Sequence, residues 1–223
     1  MLLELNKVSL GYKEHILLDE VSMCLESGSS TCIKTGVLDG GSSLLRMCAG
    51  LMEPLSGRVM LNGQSLSAMS DQQKFATVSL SFEIGGLLAI FSNYNNVAFP
   101  LLYHTELSQL EIRSRIENLA QRLGVEHLLN LEPHQLNDVQ TRLFNLLRSM
   151  AFRPELILVD ELQSGMSDAI RQTALDVLME EQQRHGFGVL MTVTAGDDYE
   201  FADNVLSISD KKLKGGQREL CAS

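Results

Sequence analysis

The apolar residues of this chain follow two patterns, one typical of strands and one typical of helices. Short alternating or β-branched segments predict strands at 21–25, 30–34, 57–63 and 77–82. The run Leu156–Val159 is continuously apolar, which is typical of a central parallel strand buried on both faces. Two more strands are predicted at 188–193 and 205–208, the second of them as the last strand of the chain. The strands alternate with helical segments, which predicts an α/β fold.

The helical pattern is clearest in the second half of the chain. Apolar residues recur at helical spacing from about residue 108 until Gly124 ends the run. Further helices are predicted at 138–151, ended by Pro154, and at about 168–184. We therefore predict one domain over 1–223, with an α/β core formed by 1–92 and 153–223 and an inserted helical subdomain at 93–152.

A glycine-rich segment lies between a predicted strand and a predicted helix. Residues 36–41 have the G-x-x-x-x-G spacing of a phosphate-binding loop, in which backbone amides and a helix N-terminus surround phosphate oxygens. The full pattern continues with a lysine and then Ser or Thr. Here Gly41 is followed directly by Ser42 and Ser43, so the loop predicts a phosphate site without its cation.

Composition and charge narrow the class of protein. The 223 residues include 18 Lys and Arg against 28 Asp and Glu, a net charge of −10, which argues against a general nucleic-acid binder. Hydrophobic residues make up 44% of the chain, enough for a large core. No apolar run is long enough to span a bilayer, and residues 1–7 lack the features of a signal peptide, so we expect a cytoplasmic location.

Several segments beyond the glycine loop carry a resemblance. The segment 136–140 precedes an apolar run that ends in Asp160 and Glu161, and 164–166 reads Ser-Gly-Met. Together with the loop, these make the chain resemble the nucleotide-binding subunit of an ABC transporter. The segments 82–88, 95–101 and 104–107 are most similar to the Mla/MCE-type lipid-transport ATPases.

The resemblance implies a fold, cofactors and partners. The fold is that of a P-loop NTPase of the ABC ATPase type, with a mixed sheet core and an inserted α-helical subdomain. ATP and magnesium are the implied cofactors. The implied partners are a membrane permease, a second ABC subunit in a homo- or heterodimer, and indirectly an MCE-type lipid-binding protein, with the chain peripheral on the inner membrane.

The resemblance also assigns roles to single residues. The implied nucleotide-binding residues are Tyr12, Gly36, Gly40, Gly41, Ser42 and Ser43. The implied magnesium ligands are Ser42, Glu83 and Asp160, and Glu161 stands at the general-base position. The signature-like segment is Leu136, Asn137, Asp138, Val139 and Gln140. Two alternatives stay open: Tyr12 as an exposed strand-end tyrosine, and the acidic pair at 160–161 as a structural remnant.

The chain departs from the family pattern at elements that touch the γ-phosphate. The loop lysine is missing, Glu83 replaces a glutamine, the signature glycines are gone, and Ala195 stands in the place of the switch histidine. Asp39 replaces a loop glycine, and Asp138 is expected to cap the helix that follows it. Three hypotheses follow: a degenerate transporter subunit with weak or absent hydrolysis, a divergent but active ATPase, and a repurposed interaction module.

Overall fold

Ten strands and six α-helices form the computed structural model, which describes residues 1–12, 15–36 and 38–215. The strands are β1 (Leu3–Tyr12), β2 (His15–Leu25), β3 (Ser30–Lys34), β4 (Ser56–Leu61), β5 (Gln64–Ser65), β6 (Val78–Ser81), β7 (Leu156–Val159), β8 (Gly188–Val193), β9 (Asn204–Ser209) and β10 (Lys212–Lys214). The helices are α1 (Gly41–Cys48), α2 (Asp71–Thr77), α3 (Asn93–His104), α4 (Gln109–Arg122), α5 (Asp138–Phe152) and α6 (Asp168–His185).

The strands form two sheets. One is antiparallel, with the strand order β2-β1-β4-β5. The other has the order β10-β9-β3-β8-β7-β6 and is mixed, because β9 pairs with β10 antiparallel whereas its other pairs are parallel. The predicted α/β fold with a mixed sheet is therefore present.

The six-stranded sheet separates two hydrophobic cores. Every residue of β7 and β8 is buried, as the apolar run at 156–159 predicted. Successive side chains of a strand point to opposite faces, so Ile157 and Val159 enter one core while Leu156 and Leu158 enter the other. Helices α3, α4, α5 and α6 cover the first core, and α1 covers the second.

The structure matches most predicted elements and corrects one. The strands β3, β7 and β8 have the predicted bounds, and α4, α5 and α6 lie where helical spacing placed them. The prediction that 205–208 is the last strand is wrong, because Lys212–Lys214 continues as an antiparallel partner of β9. Helices α3, α4 and α5 occupy the segment 93–152, whose status as a separate subdomain stays a prediction. Among the described helices, none has the length and apolar character required to cross a bilayer.

Candidate functional site

The glycine loop joins β3 to α1 at the carboxyl edge of the parallel strands. Gly40 has φ +90°, a left-handed conformation that strongly favours glycine. A Cβ on Gly41 would lie 2.5 Å from Thr35 Cγ2 and 3.1 Å from Thr192 Cγ2, so this position has no room for a side chain. The first backbone amides of α1 have no partner within the helix and therefore form an anion-binding end.

The same loop contains the carboxylate of Asp39, which is hydrogen-bonded to the loop backbone. The Oδ2 atom of Asp39 accepts a hydrogen bond of 2.7 Å from the backbone N–H of Gly36. Asp39 thus holds a negative charge within the loop that the resemblance assigns to ATP phosphates. This charge repels a phosphate that approaches the loop.

The lysine that precedes the loop is already engaged. Lys34 Nζ lies 3.5 Å from the ring centroid of Tyr199, a cation–π contact. The segment 36–43 itself contains no lysine or arginine. Arg46, exposed on α1, contributes positive charge near Asp160, where it lowers the pKa of that carboxyl against the larger effect of burial.

Hydroxyl groups from two elements hold Asp160. Its Oδ1 atom accepts hydrogen bonds from Ser42 Oγ at 2.9 Å and from Thr192 Oγ1 at 3.0 Å. Thr192 Oγ1 in turn accepts the backbone N–H of Glu161 at 3.0 Å. Burial raises the pKa of Asp160, and the two hydroxyl bonds oppose that rise. The structure therefore brings together two of the three predicted magnesium ligands, Ser42 and Asp160.

The third predicted ligand, Glu83, faces an arginine. Glu83 Oε1 lies 3.6 Å from Arg142 Nη2, and the Arg142 side chain is only 8% exposed. Arg142 Nη1 also donates to the carbonyl of Ser164 at 2.8 Å, so this side chain links α5 to the segments that contain Glu83 and Ser164. The ion pair competes with the magnesium role predicted for Glu83.

Glu161 stands among other carboxylates in a left-handed conformation, with φ +41°. Burial is the largest cause that raises its pKa, and the charges of Glu83, Asp160 and Asp197 raise it further. Arg142 acts in the opposite direction. A carboxyl with a raised pKa is suited to accept a proton, although clustered carboxylates of purely structural importance show the same shift.

Tyr12 reaches the end of the glycine loop. Its hydroxyl lies 3.3 Å from Ser43 Oγ, and the side chain remains 54% exposed. This residue, which the resemblance implies to bind nucleotide, is thus next to the loop.

The signature-like segment forms the start of α5, and it corrects the predicted cap. The N-cap is Asn137, whose Oδ1 accepts the N–H of Gln140 at 2.9 Å, while Gln140 Oε1 accepts the N–H of Asn137 at 3.0 Å. Asp138 is the first helical residue instead, because the extended backbone of Asn137 turns the amide side chain back toward the helix. Leu136 and Val139 pack against the core beneath the helix, so this segment is well built as a helix start.

The loop after β8 lacks a proton-carrying group at the switch position. Ala195 is exposed there. The carboxylate of Asp197 closes the loop by accepting bonds from the N–H of Thr194 at 2.7 Å and from its hydroxyl at 3.1 Å. The loop therefore adds a carboxylate to the site in place of a histidine.

A second concave surface lies between β6 and α3. We call it the apolar groove; its volume is about 340 Å³, and its lining includes Leu51, Phe75, Leu88, Phe99, Arg148 and Phe152. Asn96 fixes one wall by exchanging hydrogen bonds of 2.6 and 3.0 Å with the backbone of Leu88. Arg148 donates to the carbonyl of Gly86, and desolvation lowers the pKa of its guanidinium to about 10.

A protein-family model described as ABC transporter matches residues 18–164, more than half of the chain. The chain belongs to the ABC transporter family. It is 30% identical over 95% of its length to the Fe(3+) ions import ATP-binding protein FbpC 2 of Pectobacterium atrosepticum, of which it spans 61%. It is 28% identical over 95% of its length to the intermembrane phospholipid transport system ATP-binding protein MlaF of Escherichia coli K12, of which it spans 80%.

Solved structures establish the ABC ATPase fold. A dimeric structure of the ATP-binding cassette MJ0796 bound to ADP and Pi superposes with a TM-score of 0.86 at 20% sequence identity. The match covers 97% of this chain and 98% of that one. The predicted P-loop NTPase fold is therefore confirmed.

The residues of this site suit magnesium, but they do not suit the outer phosphates of ATP. A serine hydroxyl and a carboxylate 2.9 Å apart, Ser42 and Asp160, offer the oxygen ligands that magnesium prefers. The loop offers no lysine to the outer phosphates of a nucleotide, and the carboxylate of Asp39 within it would repel them. Within 1–12, 15–36 and 38–215, no cluster of three His, Cys, Asp or Glu side chains is arranged to hold a metal by itself.

Sequence reasoning missed two residues of this ABC site. Thr192 bridges Asp160 and Glu161, and Arg142 faces Glu83. A polar residue within the apolar strand at 188–193 is a signal that points to Thr192. Arg142 offers a weaker signal, since a charge near the start of an amphipathic helix is ordinary.

We expect Glu161→Gln to stabilise the folded chain at pH 7. Burial and neighbouring carboxylates raise the pKa of Glu161 in the folded state above its ordinary value of 4.5. Between pH 4.5 and the raised pKa the folded state binds more protons than the unfolded state, so the free energy of unfolding falls as the pH rises through this range. The Glu161→Gln change introduces a neutral amide, which does not ionise, so the free energy of unfolding no longer falls for this reason. Urea unfolding at several pH values measures it: the gain should be present at neutral pH and vanish below pH 4.5.

Glu53→Gln is the matched control, because Glu53 is an exposed carboxylate in a separate loop. Its effect should be small at every pH. A stability gain for Glu161→Gln that does not change between pH 4 and pH 7 would contradict the electrostatic cause.

Proposed function

We propose that this chain is the ATP-binding-cassette subunit of an inner-membrane phospholipid transporter of the MCE/Mla type, with weak or absent ATP hydrolysis. In this role it lies peripherally on the cytoplasmic side and docks on the permease. One observation carries the proposal of weak hydrolysis. The phosphate loop has no lysine, and the carboxylates of Asp39, Glu83, Asp160 and Glu161 lie in the segments that form the site.

Charge arithmetic supports weak phosphate binding. A lysine ammonium 4 Å from a phosphate charge contributes up to about 4 kcal/mol at an effective dielectric constant near 20. The loop lacks this attraction, and Asp39 adds a repulsion. Phosphoryl transfer depends mainly on positioning and charge stabilisation, so these changes act directly on the rate.

Dimerisation does not restore a complete site. The family resemblance implies composite sites, in which the glycine loop of one subunit faces the signature of the other. A homodimer of this chain has both the altered loop and the altered signature, at 136–140, in each site. A heterodimer with an intact partner still has one altered half in each site.

The lipid assignment rests on particular segments rather than on overall identity. The iron-import and phospholipid-transport relatives are similar at 30% and 28%, which does not separate their substrates. The segments 82–88 and 95–101 resemble the MCE-type ATPases, and they contribute Leu88, Asn96 and Phe99 to the apolar groove.

The apolar groove suits a permease segment. Phe75, Leu51 and Leu88 are each about half exposed, so an amphipathic helix laid in the groove removes their apolar surface from water. Exposed apolar patches of this kind mark interaction sites. The groove thereby supports the docking role independently of hydrolysis.

One observation favours a divergent but active ATPase as a second candidate. The hydroxyl of Ser42 and the carboxylate of Asp160 lie 2.9 Å apart and offer oxygen ligands suited to magnesium, and the pKa of Glu161 is raised. In that case Ser42 and Asp160 would hold the metal, which would stabilise phosphate charge, and Glu161 would accept the proton of the attacking water.

Magnesium-dependent ATP turnover by the chain co-purified with its permease tests the proposal. We expect a rate below about 0.01 s⁻¹, well under the roughly 1–10³ s⁻¹ of typical enzymes, and no difference between the natural chain and Glu161→Gln. Ordinary turnover that Glu161→Gln abolishes would instead establish the active ATPase. If the chain, purified from membranes, brought no permease with it, the result would favour the interaction-module hypothesis.

A further inference from the structure

An open pocket of about 530 Å³ lies between α4, the end of α5 and the last turn of α6. We call it the arginine pocket; its polar lining includes Ser114, Arg115, Asn118, Arg153 and Arg184. Three guanidinium groups on one concave surface contrast with the net charge of −10 of the whole chain. The pocket belongs neither to the glycine loop nor to the apolar groove.

The two carboxylates that line the pocket already have partners. Glu181 is 3% exposed and contacts Arg122, Arg184 at 3.2 Å and His185 at 3.2 Å. Glu111 Oε2 accepts bonds from the N–H of Ser108 at 2.8 Å and from its hydroxyl at 2.6 Å, as part of the α4 capping box. Neither carboxylate is bonded to Arg115 or Arg153.

Among the residues that the structure describes, no carboxylate is hydrogen-bonded or ion-paired to Arg115 or Arg153. Arg115 Nη1 donates to a neutral acceptor, the carbonyl of Ala151, at 3.0 Å. In the part of the chain that the structure describes, the side chain of Arg153 forms no hydrogen bond or ion pair. Burial lowers the pKa of Arg115 and the nearby positive charge of Arg153 lowers it further, whereas the carboxylates of Glu111 and Glu181 act in the opposite direction. The two like-charged guanidiniums repel each other across the pocket. A bound anion relieves this repulsion.

The backbone at Arg153 is strained. It lies at φ 57°, ψ 57°, the left-handed C-cap of α5, directly before Pro154. Glycine or asparagine is the usual residue there, and a larger side chain is strained. The chain thus holds a long cationic side chain at a position that favours glycine, and that side chain lines the pocket.

We propose that the arginine pocket binds a phosphate monoester, with the phosphate oxygens held by Arg115 and Arg153 and by the side chains of Ser114 and Asn118. Leu110, 77% exposed on the rim, suits an apolar portion of the same ligand. This binding is independent of ATP hydrolysis and of permease docking. The phosphate belongs either to a soluble metabolite or to a lipid headgroup.

Calorimetric titration of the full chain with glycerol 3-phosphate tests the site. We expect Arg153→Gly and Arg115→Gln each to weaken binding at least tenfold. Glycine relieves the strained backbone, so the Tm of Arg153→Gly should be equal to or above that of the natural chain, and its loss of binding is not a loss of folding. Arg113→Gln is the matched control, because Arg113 lies on the same helix and pairs with Glu117; its affinity should stay within twofold.

Amide chemical shifts locate the bound phosphate. Shifts at 114–118 and at Arg153 support the proposal, whereas shifts confined to 40–43 assign the phosphate to the glycine loop and overturn it. Co-sedimentation with phosphatidate vesicles, against phosphatidylcholine vesicles, separates the two sources. Binding to phosphatidate vesicles that Arg153→Gly abolishes assigns the phosphate to a lipid headgroup. Binding of glycerol 3-phosphate in the calorimeter without any binding to vesicles assigns it to a soluble ligand. The absence of both kinds of binding refutes the site.

Discussion

A chain with a lysine inserted between Gly41 and Ser42, combined with Asp39→Gly, is expected to bind ATP about 100-fold or more tightly than the natural chain. The inserted ammonium restores an attraction of up to about 4 kcal/mol, and the glycine removes a carboxylate that is bonded inside the loop. Since about 1.4 kcal/mol corresponds to a factor of ten, part of this attraction is enough. Calorimetry with magnesium and ATP measures the change.

The matched control is a glutamine inserted at the same place with the same Asp39→Gly change. It restores the loop length without the positive charge, so it should recover only a small part of the affinity. Equal binding by the lysine and glutamine variants would mean that loop length rather than charge limits nucleotide binding. No gain from either would show that Glu83 or the altered signature dominates.

The largest expected loss of stability follows Phe144→Ala. Phe144 is fully buried on α5, in the core shared by the helices and the six-stranded sheet. Truncating a buried phenylalanine costs about 3–5 kcal/mol, because the remaining cavity collapses only in part. At about 2–4 °C for each kcal/mol in a domain of this size, Tm should fall by roughly 6–20 °C. Urea unfolding gives the free-energy difference directly.

Phe99→Ala is the companion variant, because Phe99 is 40% exposed in the apolar groove. We expect a small effect on unfolding and a marked loss of permease in co-purification. If Phe99→Ala destabilised the chain as much as Phe144→Ala, the groove would be a structural core rather than a docking surface. If it left permease capture unchanged, another surface would carry the docking.

The elements that the sequence predicted share an uninterrupted pattern. The run at 156–159 is apolar throughout because both faces of β7 are covered, and the bounds of α4 and α6 follow from regular spacing. The sequence does not predict the bounds of β1, because Lys7 has φ 47° and the pairing register shifts around it, which breaks the alternation. Helix α3 contains Pro100 and a cluster of asparagines, and it depends on tertiary contacts such as the bond of 2.9 Å from the Asn93 amide to the carbonyl of Leu128.

The same distinction applies to the site. Ser42 and Asp160 each follow a parallel strand, so their proximity is a consequence of the fold that motif spacing already indicates. Arg142 and Glu83 are distant in sequence, and only the packing of α5 beside the segment after β6 brings them together. The cap of α5 fell one residue from its predicted place, because both Asn137 and Asp138 are good capping residues and only the backbone decides between them.

The two hydroxyl bonds to Asp160 give this aspartate a structural role that the neighbouring Glu161 does not share. Its loss would leave Ser42 and Thr192 without their shared acceptor, so selection for a folded chain would preserve it even in a subunit that hydrolyses no ATP. Among the described residues none donates a hydrogen bond to the carboxylate of Glu161, and the neighbouring charges of Glu83, Asp160 and Asp197 favour its replacement by a neutral residue. In related ABC subunits that hydrolyse no ATP, an aspartate at position 160 should therefore be retained more often than a glutamate at position 161.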